Sequence, residues 1–405
     1  MDLTDTKTFQ KPERQYYIDW LRIILIISVY FYHIGMIFVI WPWHIKNDQL
    51  YEGGLRQTMS FLHLWRMPLL FMLAGAGTYY ALGKRTPGQY LSERFRRLVI
   101  PLVAGIFILV PVQVYIEKIN QYDSLLSYYP HMFDGIYPAG NFSWHHLWFI
   151  TYLFVVSLFI SPFLNLLRGK RFRKFLSQLE RIVTKPLALN IFLIPLILSQ
   201  ILLRPFFEVD THDLVNDWAS ITYYVIFFLS GYILLSSDRI SGAIRKYRFL
   251  YLAETIAAYI SMILVTRIIQ PDNLADSLRE AFSIIVAWSC ALTALGFAKQ
   301  HLNKNNHFRK IANEAIYPFY LLHQPSIVVT GYFAVQLETE VVWKVIIVFL
   351  SSFSLAIIIY WFIVRPYNFF RVLFGMKKLE KSDAATVSRR IGDNVNVHDK
   401  LQLPA

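Results

Sequence analysis

Cysteine is all but missing. Cys290 is the single one in 405 residues and sits in an apolar run, so an intrachain disulfide is excluded. Charge is scarce as well, with Asp, Glu, Lys and Arg making up 17% of the chain. Several catalytic signatures are missing. There is no HExxH helix, no CxxC pair and no GxSxG elbow, so no metal centre and no serine-hydrolase nucleophile is expected. "GTYYALGKRT" at 77–86 imitates a phosphate loop, but it has five residues between its glycines where such a loop has four. Arg85 also follows Lys84 where such a loop needs Ser or Thr. The first 18 residues are polar and offer no short apolar core or small-residue cleavage site. No cleaved signal peptide is expected.

What the chain does have is apolar length. Hydrophobic residues make up 55% of it, and the mean hydropathy is +0.39. That composition belongs to a polytopic membrane protein. A helix needs roughly 20 apolar residues to cross a bilayer. Ten such runs are legible, near 19–41, 58–82, 98–117, 147–167, 187–205, 219–236, 249–269, 279–298, 314–336 and 341–364. The loops between them alternate in charge. Lys84, Arg85, Arg94, Arg96 and Arg97 follow the second run, and seven basic residues from Arg168 to Lys185 follow the fourth. Further basic clusters follow the sixth and eighth runs, and the intervening loops are neutral or acidic. The positive-inside rule then predicts an all-α bundle of about ten transmembrane helices with both termini cytosolic. The formal charge of +13 reads as this sidedness signal ahead of nucleic-acid binding. The expected organisation is a cytosolic segment over 1–18, a transmembrane bundle over 19–366 and a mobile cytosolic tail over 376–405.

Titratable groups inside spans are costly and mark functional candidates. "DWLRIILIISVYFYHIGMIF" at 19–38 carries Arg22 and His33. Eleven helical steps make about three turns, so the two share one face, roughly 16 Å apart along the axis. Asp19 lies near that face and can pair with Arg22. Arg22 falls at the cytosolic interface and His33 beyond the midplane. A snorkelling Arg22 and a hydrogen-bonded core histidine are the plain alternatives.

Other spans carry partners at similar depth. Arg66 lies roughly 12 Å along the second run, close to the level of His33, and should face the bundle interior. The "AGAG" at 74–77 suits close helix packing. The ninth run, "EAIYPFYLLHQPSIVV", places His323 and Gln324 between two prolines. Pro325 should free a backbone carbonyl and break the helix. His323 then serves either the chemistry or that carbonyl. The outer loop "INQYDSLLSYYPHMFDGIYPAGNFSWHHLWF" mixes aromatic and hydrogen-bonding groups that suit a sugar, though aromatic belts look the same. His145, His146 and Trp148 stand at its end as candidate substrate-binding residues. Arg94, Arg96 and Arg97 in "SERFRRLVIP" can grip phosphates or simply set topology.

In order along the chain, these features resemble the integral-membrane acyltransferase 3 family. The carriers are Arg22 and His33 with ten residues between them, "LFMLAGAG", "RFRRLVIP", "HHLWFITYL" and "YPFYLLHQP", spread over nearly all of 14–366. "RMPLLFMLAG" and "HLWF" look most like the periplasmic glucan succinyltransferase branch. The resemblance implies a single helical bundle in a bacterial inner membrane. It would move an acyl group of the acetyl or succinyl class from acyl-CoA, as donor substrate, to a hydroxyl of a carbohydrate or glucan acceptor. It implies a catalytic role for His33, and donor phosphates held by Arg22, Arg94, Arg96 and Arg97. A role for Arg66 at the developing thioester oxyanion follows from its depth alone. A transporter or flippase of an envelope precursor is the competing reading, weakened by the lack of a matching interrupted helix in the first half.

Overall fold

A computed structural model describes residues 15–83, 85–208, 211–270 and 273–379. Lys84, most of the expected segment 1–18 and nearly all of the expected tail 376–405 lie outside the described residues. Among the described residues there is no strand. The chain folds into α1 (Tyr16–Met36), α2 (Gly54–Leu82), α3 (Pro87–Glu117), α4 (His145–Phe163), α5 (Lys170–Ile182), α6 (Ala188–Phe206), α7 (Trp218–Leu234), α8 (Asp238–Lys246), α9 (Arg248–Ile268), α10 (Asn273–His301), α11 (His307–Val335) and α12 (Val341–Val364). Eight of these are long and apolar enough to cross a membrane, or nine if α7 and α8, bent by 104°, count as one span. All ten runs read from the sequence are helical. The ninth, α11, falls short on apolarity because polar groups fill its middle.

Burial sorts the spans into an inner group and an outer shell. In α1, α2 and α10, 61% of the apolar window is buried, against 22% in α6, α9 and α12. In α1 the exposed residues Ile24 and Phe31 lie two turns apart on the lipid side, while Leu21, Leu25, Val29 and Tyr30 are buried. The α2–α7 crossing depends on glycine. A Cβ on Gly75 would stand 1.8 Å from the Phe228 carbonyl oxygen, and one on Gly231 would stand 1.8 Å from that of Met72. Two backbones therefore touch there, as small residues in spans permit. α5 is different: short and basic, with Lys170, Arg171, Arg173, Lys174 and Arg181 around a single buried Leu179.

The expected break in α11 does not occur. The helix runs continuously from His307 to Val335 with Pro318 and Pro325 inside it. Proline removes the hydrogen bond to the carbonyl four residues back, and side chains from other elements take three of the carbonyls freed in α11 and α3. His146 Nε2 donates to Leu321 O (3.1 Å), freed by Pro325. Tyr317 OH donates to Arg97 O (2.7 Å), freed by Pro101. Tyr129 OH donates to Phe107 O (3.2 Å), freed by Pro111. The prolines thus pin α4 to α11, and α11 to α3, without breaking α11. Pro101 also accompanies a π-helical turn over Phe95–Val99, a widening often found at functional sites.

Asp19 pairs with Arg22 as expected and has a second partner that was not expected. Its carboxylate sits 3.7 Å from Arg22, but its tight partner is the buried guanidinium of Arg309 on α11. The sequence offered no periodic link between positions 290 residues apart.

Candidate active site

Two features share the inner face of α1, one at each end. The first is a histidine cluster around His33. Its Nδ1 lies 2.9 Å from His323 Nε2 on α11, with the rings stacked at 5.1 Å and 9°. His323 Nδ1 lies 2.5 Å from Tyr320 O. A carbonyl can only accept, so His323 is protonated on Nδ1 and its Nε2 carries the lone pair. His33 must then donate from Nδ1, which leaves the lone pair of His33 on Nε2. The chain Tyr320 C=O, His323, His33 therefore orients a neutral imidazole with a basic nitrogen, as an orienting group does for a catalytic base.

Around this dyad stand three further groups. His146, nearly fully buried, packs edge-on to His323 at 5.3 Å and keeps its Nδ1 without a hydrogen-bond partner. Arg66 is 3% exposed. Its guanidinium lies over the Tyr32 ring at 3.6 Å and its Nε donates to Leu62 O. Its charge acts on both His33 and His323. Trp43, from the loop after α1, stacks on His33 at 6.1 Å. The same loop is fastened to the helix end by Lys46, whose Nζ donates to Met36 O and Val39 O. Burial there pushes the Lys46 ammonium down to about 8.

The second feature is a cavity of about 830 Å³ at the Arg22 end. Arg22, Arg85, Arg94, Arg97, Lys310, Arg371 and Lys377 line it, against only Glu93 and Glu314. It is cationic enough for a polyanion and within the size range of small-molecule sites. Arg94 is set by a bond from Nη2 to Thr78 Oγ1 (3.1 Å). Gly77 leaves the wall beside Arg22 open, since a Cβ there would meet only Arg22 Nη2, at 4.0 Å. Leu70, Phe149, Ile150, Tyr317 and Tyr320 supply an apolar and aromatic part of its lining. Tyr320 joins the two features. It lines the cavity, its hydroxyl donates to His146 O (2.5 Å), and its ring lies 5.8 Å from both His146 and His323.

The candidates read from the sequence therefore divide. His33, His323, Arg66 and His146 converge, and Arg22, Arg94 and Arg97 line one cavity. Arg96 is exposed on the π-helical turn and is not among the cavity's lining residues. Trp148 packs against His212 at 4.1 Å and against Phe149, Tyr152 and Tyr224, none of them in the histidine cluster. His145 lies beside His44 rather than the dyad, with ring centroids 4.5 Å apart. The groups missed were His44, Glu117, Tyr137, Arg85, Lys310 and Arg371. They come from loops and helix ends far apart in sequence, so no spacing rule links them.

The family model described as "Acyltransferase domain" matches residues 15–361. Among curated proteins, the chain is similar to Glucans biosynthesis protein C of Salmonella paratyphi B (strain ATCC BAA-1250 / SPB7) and of Salmonella heidelberg (strain SL476). Each is 24% identical over 152 residues, which is 36% of this chain and 37% of the relative. The chain thus matches little more than a third of the length of these relatives. No solved structure matches it.

Proposed function

This chain belongs to the acyltransferase family whose model spans residues 15–361, and on that premise we propose that it transfers an acyl group from acyl-CoA to a carbohydrate hydroxyl across a bacterial inner membrane. The observation that carries the reading is that Tyr320 both lines the cationic cavity and packs against His323 of the His33–His323 dyad. The loop charges favour a position for the cavity on the cytosolic side, where CoA is found. Its phosphates bind Arg22, Arg94 and Arg97, with Arg85 and Lys310 beside them, and the pantetheine arm runs toward Tyr320.

In the transfer step the acceptor hydroxyl gives its proton to His33 Nε2 as its oxygen attacks the thioester carbonyl. The carbon–oxygen bond forms and the carbon–sulfur bond breaks. The thiolate leaves and takes up a proton, which regenerates neutral His33. His323 keeps His33 in the required tautomer by accepting from Nδ1 throughout. Arg66 stabilises the negative charge that develops on the carbonyl oxygen. An acetyl or succinyl donor and a glucan acceptor are favoured by the residue blocks "RMPLLFMLAG" and "HLWF", and the glucan acceptor also by the name carried by the partial relatives.

Purified protein in detergent, with no gradient present, should turn over radiolabelled acyl-CoA in the presence of a linear glucan oligosaccharide. A panel of acetyl-, succinyl- and longer acyl-CoA donors then identifies the acyl class. Failure of every donor, together with gradient-driven uptake of acceptor in liposomes, would favour a transporter instead.

A further inference from the structure

Beside the dyad, three segments distant in sequence bring together groups that the acyl-transfer reading does not use. His44 lies in the loop after α1, Glu117 ends α3 and His145 begins α4. One ligating atom from each lies within 4.8 Å of the other two. We infer that His44, Glu117 and His145 form a site for one divalent cation of the zinc class. Two imidazoles and a carboxylate with an open fourth position are a donor set used by catalytic zinc sites.

The surroundings favour a cation over a hydrogen-bonded trio. Metal-ligating groups are usually held by a second set of hydrogen bonds, and each of the three has one available. Tyr137 OH donates to Glu117 Oε1 (3.0 Å), which leaves Oε2 toward His44. The Gln324 amide nitrogen lies 3.0 Å from His44 Nε2, and a ligand role for His44 Nδ1 requires that amide to be flipped. With the amide oxygen turned toward it, His44 is protonated on Nε2 and presents the Nδ1 lone pair to the site. His145 has Ser143 Oγ 3.5 Å from its Nδ1, and its backbone N–H donates to that same oxygen at 3.0 Å. Its Nε2 is buried with no hydrogen-bond partner. His145 is also held at φ 40°, a positive value uncommon outside glycine, though histidine adopts it more readily than most residues. A hydrogen bond of 2.7 Å between His44 Nδ1 and Glu117 Oε2 satisfies two of the three atoms. A cation satisfies all three. Zinc bonds of about 2.0–2.2 Å in tetrahedral geometry separate ligand atoms by roughly 3.4 Å, so that pair opens by well under 1 Å to admit the ion. Gln324 is next to His323 in α11 and Trp43 stacks on His33. The fourth position is thus available to a water or an acceptor oxygen beside the dyad.

The test uses tag-free, full-length protein in detergent, stripped with a chelator and titrated with Zn²⁺ against a chromophoric competitor. Wild type should bind one equivalent. Glu117→Gln and His145→Ala should each bind at least a hundredfold more weakly, and Tyr137→Phe about 10–100-fold more weakly. Zn²⁺ should raise the thermal midpoint of wild type but not that of Glu117→Gln. No stoichiometric binding by stripped wild type, or undiminished binding by His145→Ala, overturns the site. Metal binding is read without acyl transfer, so failure here and failure of the proposed activity are separate results.

Discussion

His33→Ala is expected to lower kcat by about 10³-fold at saturating donor, because a positioned general base contributes about 10²–10⁴-fold. His323→Ala should cost about 10²-fold, since it leaves the base in place but frees its ring and tautomer. The double variant should be little worse than His33→Ala alone, because the two act as one unit. His33→Gln separates chemistry from packing. Its amide can still donate to His323 Nε2, so a purely structural histidine would be largely rescued. A base would not be, since an amide accepts no proton at working pH. Size-exclusion profiles and thermal midpoints of the variants should stay near wild type. If His33→Gln restored turnover, His33 would be a packing residue and the dyad would have no part in the reaction.

The second large effect is on the donor. Arg94→Ala and Arg97→Ala should each raise KM for acyl-CoA about 10–100-fold with kcat largely kept. Hydrogen bonds to charged groups are worth about 1.5–3 kcal/mol, and the lost contacts lie far from the reacting carbon. Arg22→Ala should act in the same direction. Added salt should weaken donor binding in wild type and have less effect in the arginine variants. Arg96→Ala supplies the contrast. Its side chain lies outside the cavity's lining, so its KM should stay within about twofold of wild type, as for a surface charge. Steady-state kinetics with varied acyl-CoA decides this. Equal effects at Arg96 and Arg94 would mean that general basicity, and not the cavity, captures the donor.

Much of this arrangement was legible from residue spacing. Eleven steps of α-helix place Arg22 and His33 on one face whatever surrounds them, and depth along α2 places Arg66 near the same level. The loop charges delimit the spans. Two kinds of information were not legible. A proline signals a lost hydrogen bond but not its remedy. His146 and Tyr317 supply donors to the freed carbonyls of Leu321 and Arg97, so α11 stays continuous where a break was expected. Contacts made once, between elements far apart in sequence, leave no periodic trace. Asp19 with Arg309, and His44 with Glu117, are of this kind. Arg96 shows the converse. Three clustered arginines look equivalent in sequence, but Arg94 and Arg97 line the cavity and Arg96 does not.

The central claim is that donor and acceptor meet at His33 from opposite faces. CoA is too polar to cross the bilayer core, and the proposed site holds its phosphates roughly 16 Å along α1 from the imidazole. The direct measurement uses liposomes in which the protein has a single orientation, fixed by accessibility of an introduced cysteine near Arg171. Acyl-CoA is supplied only at the face carrying Arg94 and Arg97, and a linear glucan oligosaccharide is sealed at the other face. The account predicts acylated oligosaccharide in the sealed compartment and none when acyl-CoA is sealed in with the oligosaccharide instead. Product formed only when both substrates share one face would contradict it.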